Sequence, residues 1–126
     1  MARATAEPLD ADQIESELSM HSGSLERYRH WTRRFIYTPG IRHLAERAGA
    51  YWLIDLIASR CRHPKLAAEE FQVWKLTVHA DRSATLSVED GNEHELVKYT
   101  IHTTDFPLAE IRLYLIDGVL LLPSEY

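Results

Sequence analysis

Ala48-Gly-Ala-Tyr-Trp-Leu-Ile-Asp-Leu-Ile-Ala-Ser59 is an apolar stretch with a single acid, Asp55, set into it. Around it, from Ile41 to Arg62, most side chains are good helix formers. Leu44, Ala48, Trp52 and Leu56 recur four apart, the spacing that puts them on one face of a helix. Ala50, Leu53, Ile57 and Cys61 form a second row that widens the apolar stripe beyond what a surface helix needs. The stretch therefore reads as the central helix of the core, packed against a sheet on one side and further chain on another. Gly49 costs about 1 kcal/mol relative to Ala in such a helix and marks close packing or a kink. Asp55 reads either as a buried charge that a nearby arginine such as Arg34 could neutralise or as a partly exposed acid.

Upstream of the helix, Pro39-Gly40 is a turn signal, with Thr38 as N-cap if Pro39 lies in the first helical turn. Residues 34–38 read as a short extended piece. Residues 1–8 read as a flexible lead-in, followed by a short helix capped by Asp10 or Asp12 and running to Met20, with Ile14 and Leu18 as its buried stripe. His21-Ser-Gly-Ser24 reads as a connector. Downstream, Pro64 ends the central helix, because it disfavours helical geometry at His63.

The period then changes to two. Phe71, Val73 and Lys75 alternate with Trp74, Leu76 and Val78, and Ala84, Leu86 and Val88 alternate with Thr85 and Ser87. Asp90-Gly91-Asn92 supplies hairpin chemistry, and Val97, Tyr99 and Ile101 continue inward on the next strand. Pro107 keeps Thr104–Leu108 out of a central strand. Residues 111–116 and 119–122 read as two more strands around the Asp117-Gly118 turn. The expected fold is α+β: two or three helices on one face of a four- or five-stranded antiparallel meander, with residues 9–70 mainly helical and 71–122 forming the sheet.

The chain has 126 residues, 45% hydrophobic and 26% charged, which predicts one domain with a real core. No run is long and apolar enough to span a bilayer, and the N-terminus lacks an apolar signal core, so no membrane partner and a cytoplasmic location are expected. Cys61 is the only cysteine, which excludes an intrachain disulfide and fits a reducing compartment. At a helix C-terminus the dipole also disfavours its thiolate.

The net charge of −5 is unevenly divided: residues 1–66 hold 10 basic against 8 acidic groups, and residues 67–126 hold 4 against 11. Two windows follow. Asp81, Glu89, Asp90, Glu93 and Glu95 form a candidate acidic face suited to a basic partner. Arg27, Arg29, Trp31, Arg33 and Arg34, within a basic window reaching Arg47, could contact phosphates and stack bases, although the acidic chain makes nucleic acid the less favoured partner. The seven histidines show no helical i, i+4 pair, and only His79 and His102 are placed to meet on neighbouring strands. No phosphate-binding glycine loop is present, and no metal, cofactor or catalytic set is expected.

The phrases Ala48-Gly-Ala-Tyr-Trp-Leu53, Glu70-Phe-Gln-Val-Trp-Lys-Leu76, Glu89-Asp-Gly-Asn92, Thr104-Asp-Phe-Pro-Leu108 and Leu122-Pro-Ser-Glu-Tyr126, taken together, resemble a domain-of-unknown-function family of small bacterial proteins often carried by phages and mobile elements. The resemblance covers residues 25–126 and carries over no catalytic residue. It implies a context in which small proteins include inhibitors of host defence, such as anti-CRISPR proteins. The expectation is thus a non-enzymatic, stoichiometric protein-binding inhibitor whose partner is a host complex such as a CRISPR effector. A small regulatory or nucleic-acid-binding module using residues 27–47 is the second reading, and an uncharacterised small enzyme the third.

Overall fold

The computed structural model describes residues 11–21 and 26–126, so the lead-in, Asp10 and most of the Ser-Gly connector lie outside the described residues. Among the described residues are three α-helices, α1 (Ala11–Ser19), α2 (Pro39–Ala48) and α3 (Tyr51–Arg60). Seven strands accompany them: β1 (Tyr28–Arg29), β2 (Ile36–Tyr37), β3 (Phe71–Val78), β4 (Ala84–Glu89), β5 (Glu95–Ile101), β6 (Glu110–Ile116) and β7 (Val119–Leu121). The chain is α+β, with one mixed and mostly antiparallel sheet.

The expected central helix is two helices. Gly49 adopts the left-handed conformation (φ 60°), its N–H bonds to the Ala45 carbonyl, and the Ala50 N–H bonds to the same oxygen at 2.8 Å. This is a glycine terminator, which any L side chain would strain. The break resets the helical phase. Leu44 and Ala48 are buried on α2, but on α3 the buried set is Leu53, Ile54, Ile57 and Ala58, while Trp52 and Leu56 are only partly covered. Tyr51, Asp55 and Ser59, four apart, form the row of α3 that faces water. Asp55 is therefore not a buried charge.

Thr38 caps α2 as expected, its Oγ1 accepting from the Ile41 N–H at 3.3 Å with Pro39 in the first turn. The cap is completed from the far end of the chain. A short 3₁₀ turn, Pro123–Glu125, brings Glu125 under the same helix end, where Oε1 accepts from Thr38 Oγ1 (2.6 Å) and the Leu122 N–H (2.9 Å) and Oε2 accepts from the Gly40 N–H (3.1 Å). A Cβ on Gly40 would lie 2.5 Å from Glu125 Oε1, so only glycine admits the carboxylate there. A negative group at a helix N-terminus is also favoured by the helix dipole.

The sheet order is β1-β2-β7-β6-β3-β4-β5, seven strands rather than four or five. β3, β4 and β5 form the expected meander, but β6 pairs with β3 instead of β5, and β7 pairs in parallel with β2. The segment joining β5 to β6 crosses the ends of β4 and β3, and it does so by burying Phe106 and Leu108 in the core. Arg82 holds this crossing, donating to the Thr104 and Phe106 carbonyls at 3.1 and 2.7 Å. The strands at 28–29 and 36–37 also break up the region expected to be mainly helical.

One hydrophobic core joins Ile14 and Leu18 of α1, Ile41 and Leu44 of α2 and the buried set of α3 to Trp74, Leu76, Leu86, Val88, Leu113 and Leu115. Leu86, Val88, Val97, Tyr99 and Ile101 point to the helical side, as the alternation requires. Gln72, the one polar residue on the core side of β3, bonds through Nε2 to the Leu66 carbonyl (3.1 Å) and accepts from Trp74 Nε1 (2.9 Å). Burial of that indole is thereby reconciled with its N–H.

Candidate functional site

The face of the sheet opposite the helices is patterned in rows set by strand register. Glu89, Val73, Tyr114 and Leu121 lie side by side across β4, β3, β6 and β7, and Phe71, Ile116 and Val119 form the next row. Val73 and Leu121 are buried yet stand apart from the main core, so they belong to a second apolar cluster on this face. Tyr126 completes it. The rings of Phe71, Tyr114 and Tyr126 form a triangle with centroids 5.2 to 5.7 Å apart, and Tyr126 stands edge-on to both neighbours while 76% of it is exposed. Moving along the strands, the face turns basic (Lys98, Ser87, Lys75, Arg112) and then polar (Thr100, Thr85, Thr77, Glu110). Glu110 sits within 3.7 Å of Lys75 and 3.6 Å of Arg112, and Glu95 within 3.7 Å of Lys98.

The predicted acidic face is divided by this geometry. Asp81 lies in the β3–β4 turn and the other four acids at the β4–β5 turn, which β4 separates by about 20 Å. Asp81 is also committed locally, accepting from Ser83 Oγ (2.6 Å) and the Ser83 N–H (2.9 Å), bonds that hold its carboxyl below the ordinary value. It stands at the opposite end of β4 from the other four. Asp90 organises its own turn by accepting from the N–H groups of Asn92 (2.8 Å) and His94 (3.2 Å), and the Asn92 bond is the main cause of its lowered pKa. Among the described residues, Glu89 and Glu93 take no side-chain donor. Gly91 presses against Phe71, its would-be Cβ 3.1 Å from the ring, so the acidic turn is joined to the aromatic cluster.

The arginine window lies on and around β1 and β2, at the opposite edge of the sheet from β5, and is largely spoken for. Arg34 donates Nη1 to the Ala58 carbonyl (2.8 Å), Arg42 pairs with Glu46 (2.9 Å) and covers the Tyr28 ring, and Arg47 donates to Glu17 (2.9 Å). Arg27 bonds its neighbour's carbonyl, whereas Arg29 and Arg33 are exposed.

Asp55 is not neutralised by Arg34. Its Oδ1 accepts from His30 Nε2 (2.8 Å) and Trp31 Nε1 (3.0 Å), and the carboxylate side chain is 50% exposed. The β1–β2 loop makes this possible. A tight turn closed by the Arg33 N–H to the His30 carbonyl (2.9 Å), with Arg33 left-handed at φ 63°, brings His30 and Trp31 onto Asp55 while Arg34 reaches the Ala58 carbonyl of α3 instead. His30 is 4% exposed and its Nδ1 accepts from the Thr32 N–H (3.1 Å), which places the ring proton on Nε2, toward Asp55. Trp31 is 77% exposed, its orientation fixed by the indole N–H.

Among the described residues, no three of His, Cys, Asp and Glu converge as a metal site. His79 bonds Thr85 Oγ1 (2.9 Å) on β4, and β4 separates it from His102 beyond β5, so the two histidines are not on neighbouring strands. Cys61 is buried, and burial pushes its thiol above the ordinary value. No helix among the described residues is long and apolar enough to cross a membrane.

Sequence reasoning missed three features: the second apolar cluster, the His30–Asp55–Trp31 contact and the Glu125 clasp. A signal for the first was present, since β3 carries apolar residues at both phases of its alternation, Phe71 and Val73 as well as Trp74 and Leu76.

The fold and its surfaces define an α+β protein whose mixed sheet carries its helices on one face. The chain belongs to a family of unknown function, DUF6876, whose model matches residues 12–126 and so takes in α1 as well as the segments quoted above. No curated protein and no solved structure matches it.

Proposed function

We propose that the chain is a non-enzymatic binding protein that engages a basic protein surface through the acidic β4–β5 turn and the aromatic end of its open sheet face. The observation that carries this reading is their continuity: Glu89 is in register with Val73, Tyr114 and Leu121, and the turn's Gly91 rests on Phe71. Aromatic anchors bordered by carboxylates are the composition of an interface with a desolvated centre and a charged rim. A partner carrying Lys or Arg around an apolar pocket fits it, and the acids steer the encounter.

In the sharper version, the partner is a nucleic-acid-binding groove of a host defence complex such as a CRISPR effector, and the protein inhibits by occupying it. The resemblance to small mobile-element proteins supports that version. The test is a pull-down from bacterial lysate with the wild type, Tyr114→Ala and a Glu89→Lys, Glu93→Lys, Glu95→Lys triple variant, leaving Asp90 to hold the turn. Both variants should lose the captured partner, and the triple variant should lose any inhibition of plasmid interference. Undiminished capture by both would refute the surface.

A second reading uses the exposed Arg29 and Arg33 beside Trp31 to hold single-stranded nucleic acid. Its test is a gel shift at low salt, where the absence of a retarded band ends it.

A further inference from the structure

Beside α3 lies an open pocket of about 470 Å³ lined by Trp31, Thr32, Arg34, Asp55 and Ser59. It is distinct from the sheet face and the proposed interface. Two opposite charges line it, yet no ion pair joins them, because each is held from another direction. Asp55 Oδ1 is fixed by His30 Nε2 at 2.8 Å and Trp31 Nε1 at 3.0 Å, and Arg34 is anchored by its Nη1 on the Ala58 carbonyl at 2.8 Å. Left to themselves on flexible side chains, a carboxylate and a guanidinium at one rim would close on each other. Among the described residues, Oδ2 of Asp55 and the remaining Arg34 guanidinium N–H groups take no partner.

We infer that this pocket binds a small zwitterion with an aromatic or apolar side chain, an α-amino acid in its free form. The ammonium group is placed on Asp55, where the carboxylate is already oriented by two donors. The ligand carboxylate lies on the Arg34 guanidinium, whose planar fork suits two oxygens. The side chain covers the indole of Trp31, which the Asp55 contact locks in orientation while 77% of the residue stays open to solvent. The pocket volume is in the range of small-molecule sites, and an aromatic wall with a few converging polar groups is their usual composition. His30 takes no part in contacting the ligand. Buried and bonded at both ring nitrogens, it positions Asp55.

The test follows the Trp31 indole N–H resonance by NMR, assigned by its loss in Trp31→Phe, during titration of the wild-type protein with three matched probes. L-phenylalanine carries both charges, phenethylamine only the ammonium and 3-phenylpropionate only the carboxylate. L-phenylalanine should bind about tenfold tighter than either analogue, the difference expected for one charge-assisted contact. Asp55→Asn should erase its advantage over 3-phenylpropionate, and Arg34→Gln its advantage over phenethylamine. Equal response to all three probes, or no response to L-phenylalanine at about 10 mM, overturns the inference, and because that comparison uses wild-type protein it stands even if a variant misfolds. Loss of partner capture by the sheet-face variants would leave this result unchanged.

Discussion

Glu125 and Asp55 are each held by donors from distant parts of the chain, and the difference between them lies in how many oxygens the protein uses. Glu125 has both engaged, by Thr38, Leu122 and Gly40, at the N-terminus of a helix it reaches from the other end of the sequence. Among the described residues, Asp55 has both of its donors on Oδ1 and none on Oδ2. A carboxylate with both oxygens engaged by backbone and cap is part of the fold. One that is oriented through a single oxygen while the other stays open is a recognition element already paid for in entropy. Substitution separates the two cases, because the first should register in stability and the second mainly in binding.

The largest effect is expected at the clasp. Glu125→Ala removes three hydrogen bonds at once and leaves the Thr38 hydroxyl and the Leu122 and Gly40 N–H groups to find other partners, which should destabilise the protein by about 2–4 kcal/mol in denaturant unfolding. Gly40→Ala should come next, at about 1–3 kcal/mol, by pushing the carboxylate off its donors. The two are coupled through one contact, so a double-mutant cycle is the decisive form of the measurement. On the Glu125→Ala background the Gly40→Ala penalty should largely vanish. Additive losses would mean that Gly40 is needed for the backbone alone.

How much of this was legible follows the same division. The β3–β4–β5 meander could be read from alternation of period two and from Asp90-Gly91, because a hairpin pairs neighbours in sequence and its turn chemistry is local. Thr38-Pro39 was legible as a cap for the same reason. Gly49 was not, since a glycine inside a run of helix formers reads equally as a packing notch or a terminator until its φ is known. The pairing of β6 with β3 is not legible either, because alternation says which face a residue takes and nothing about which strand lies next to it. The partners of Asp55 depended on a left-handed residue at Arg33, which turns Arg34 to the Ala58 carbonyl and gives the carboxylate to His30 and Trp31. The register of the open face, and with it the separation of Asp81 from the other acids, is likewise a property of the paired strands.

A smaller effect on stability is expected at Asp55, and its size depends on what replaces the acid. Asp55→Asn keeps an oxygen that can accept from both His30 and Trp31, so the loss should stay within about 1 kcal/mol. Asp55→Ala leaves the N–H of a buried imidazole without an acceptor and should cost about 1–2 kcal/mol. His30→Ala in the Asp55→Ala background should then add less than it does alone. If Asp55→Asn instead destabilised as much as Glu125→Ala, the two carboxylates would share one structural role and the contrast between them would fail.

Glu17 tests the boundary between these cases through pH. It joins α1 to α2 by accepting from His43 Nε2 (2.7 Å) and Arg47 Nε (2.9 Å), with 26% of its side chain exposed, and the Arg47 bond is the main cause of a pKa held below the ordinary glutamate value. A carboxyl whose pKa is lower folded than unfolded contributes stability that is fully present above its unfolded pKa and is lost as pH falls through the folded one. Glu17→Gln should therefore lower the denaturation midpoint slightly near neutrality, and the gap from wild type should narrow on acidification as the wild-type carboxyl is protonated. Because the group is solvent-screened, the effect should be the smallest of those considered, and added salt should shrink it further. A gap that stays constant from neutral to strongly acidic pH would show that Glu17 joins the helices by packing and shape, with its charge contributing nothing.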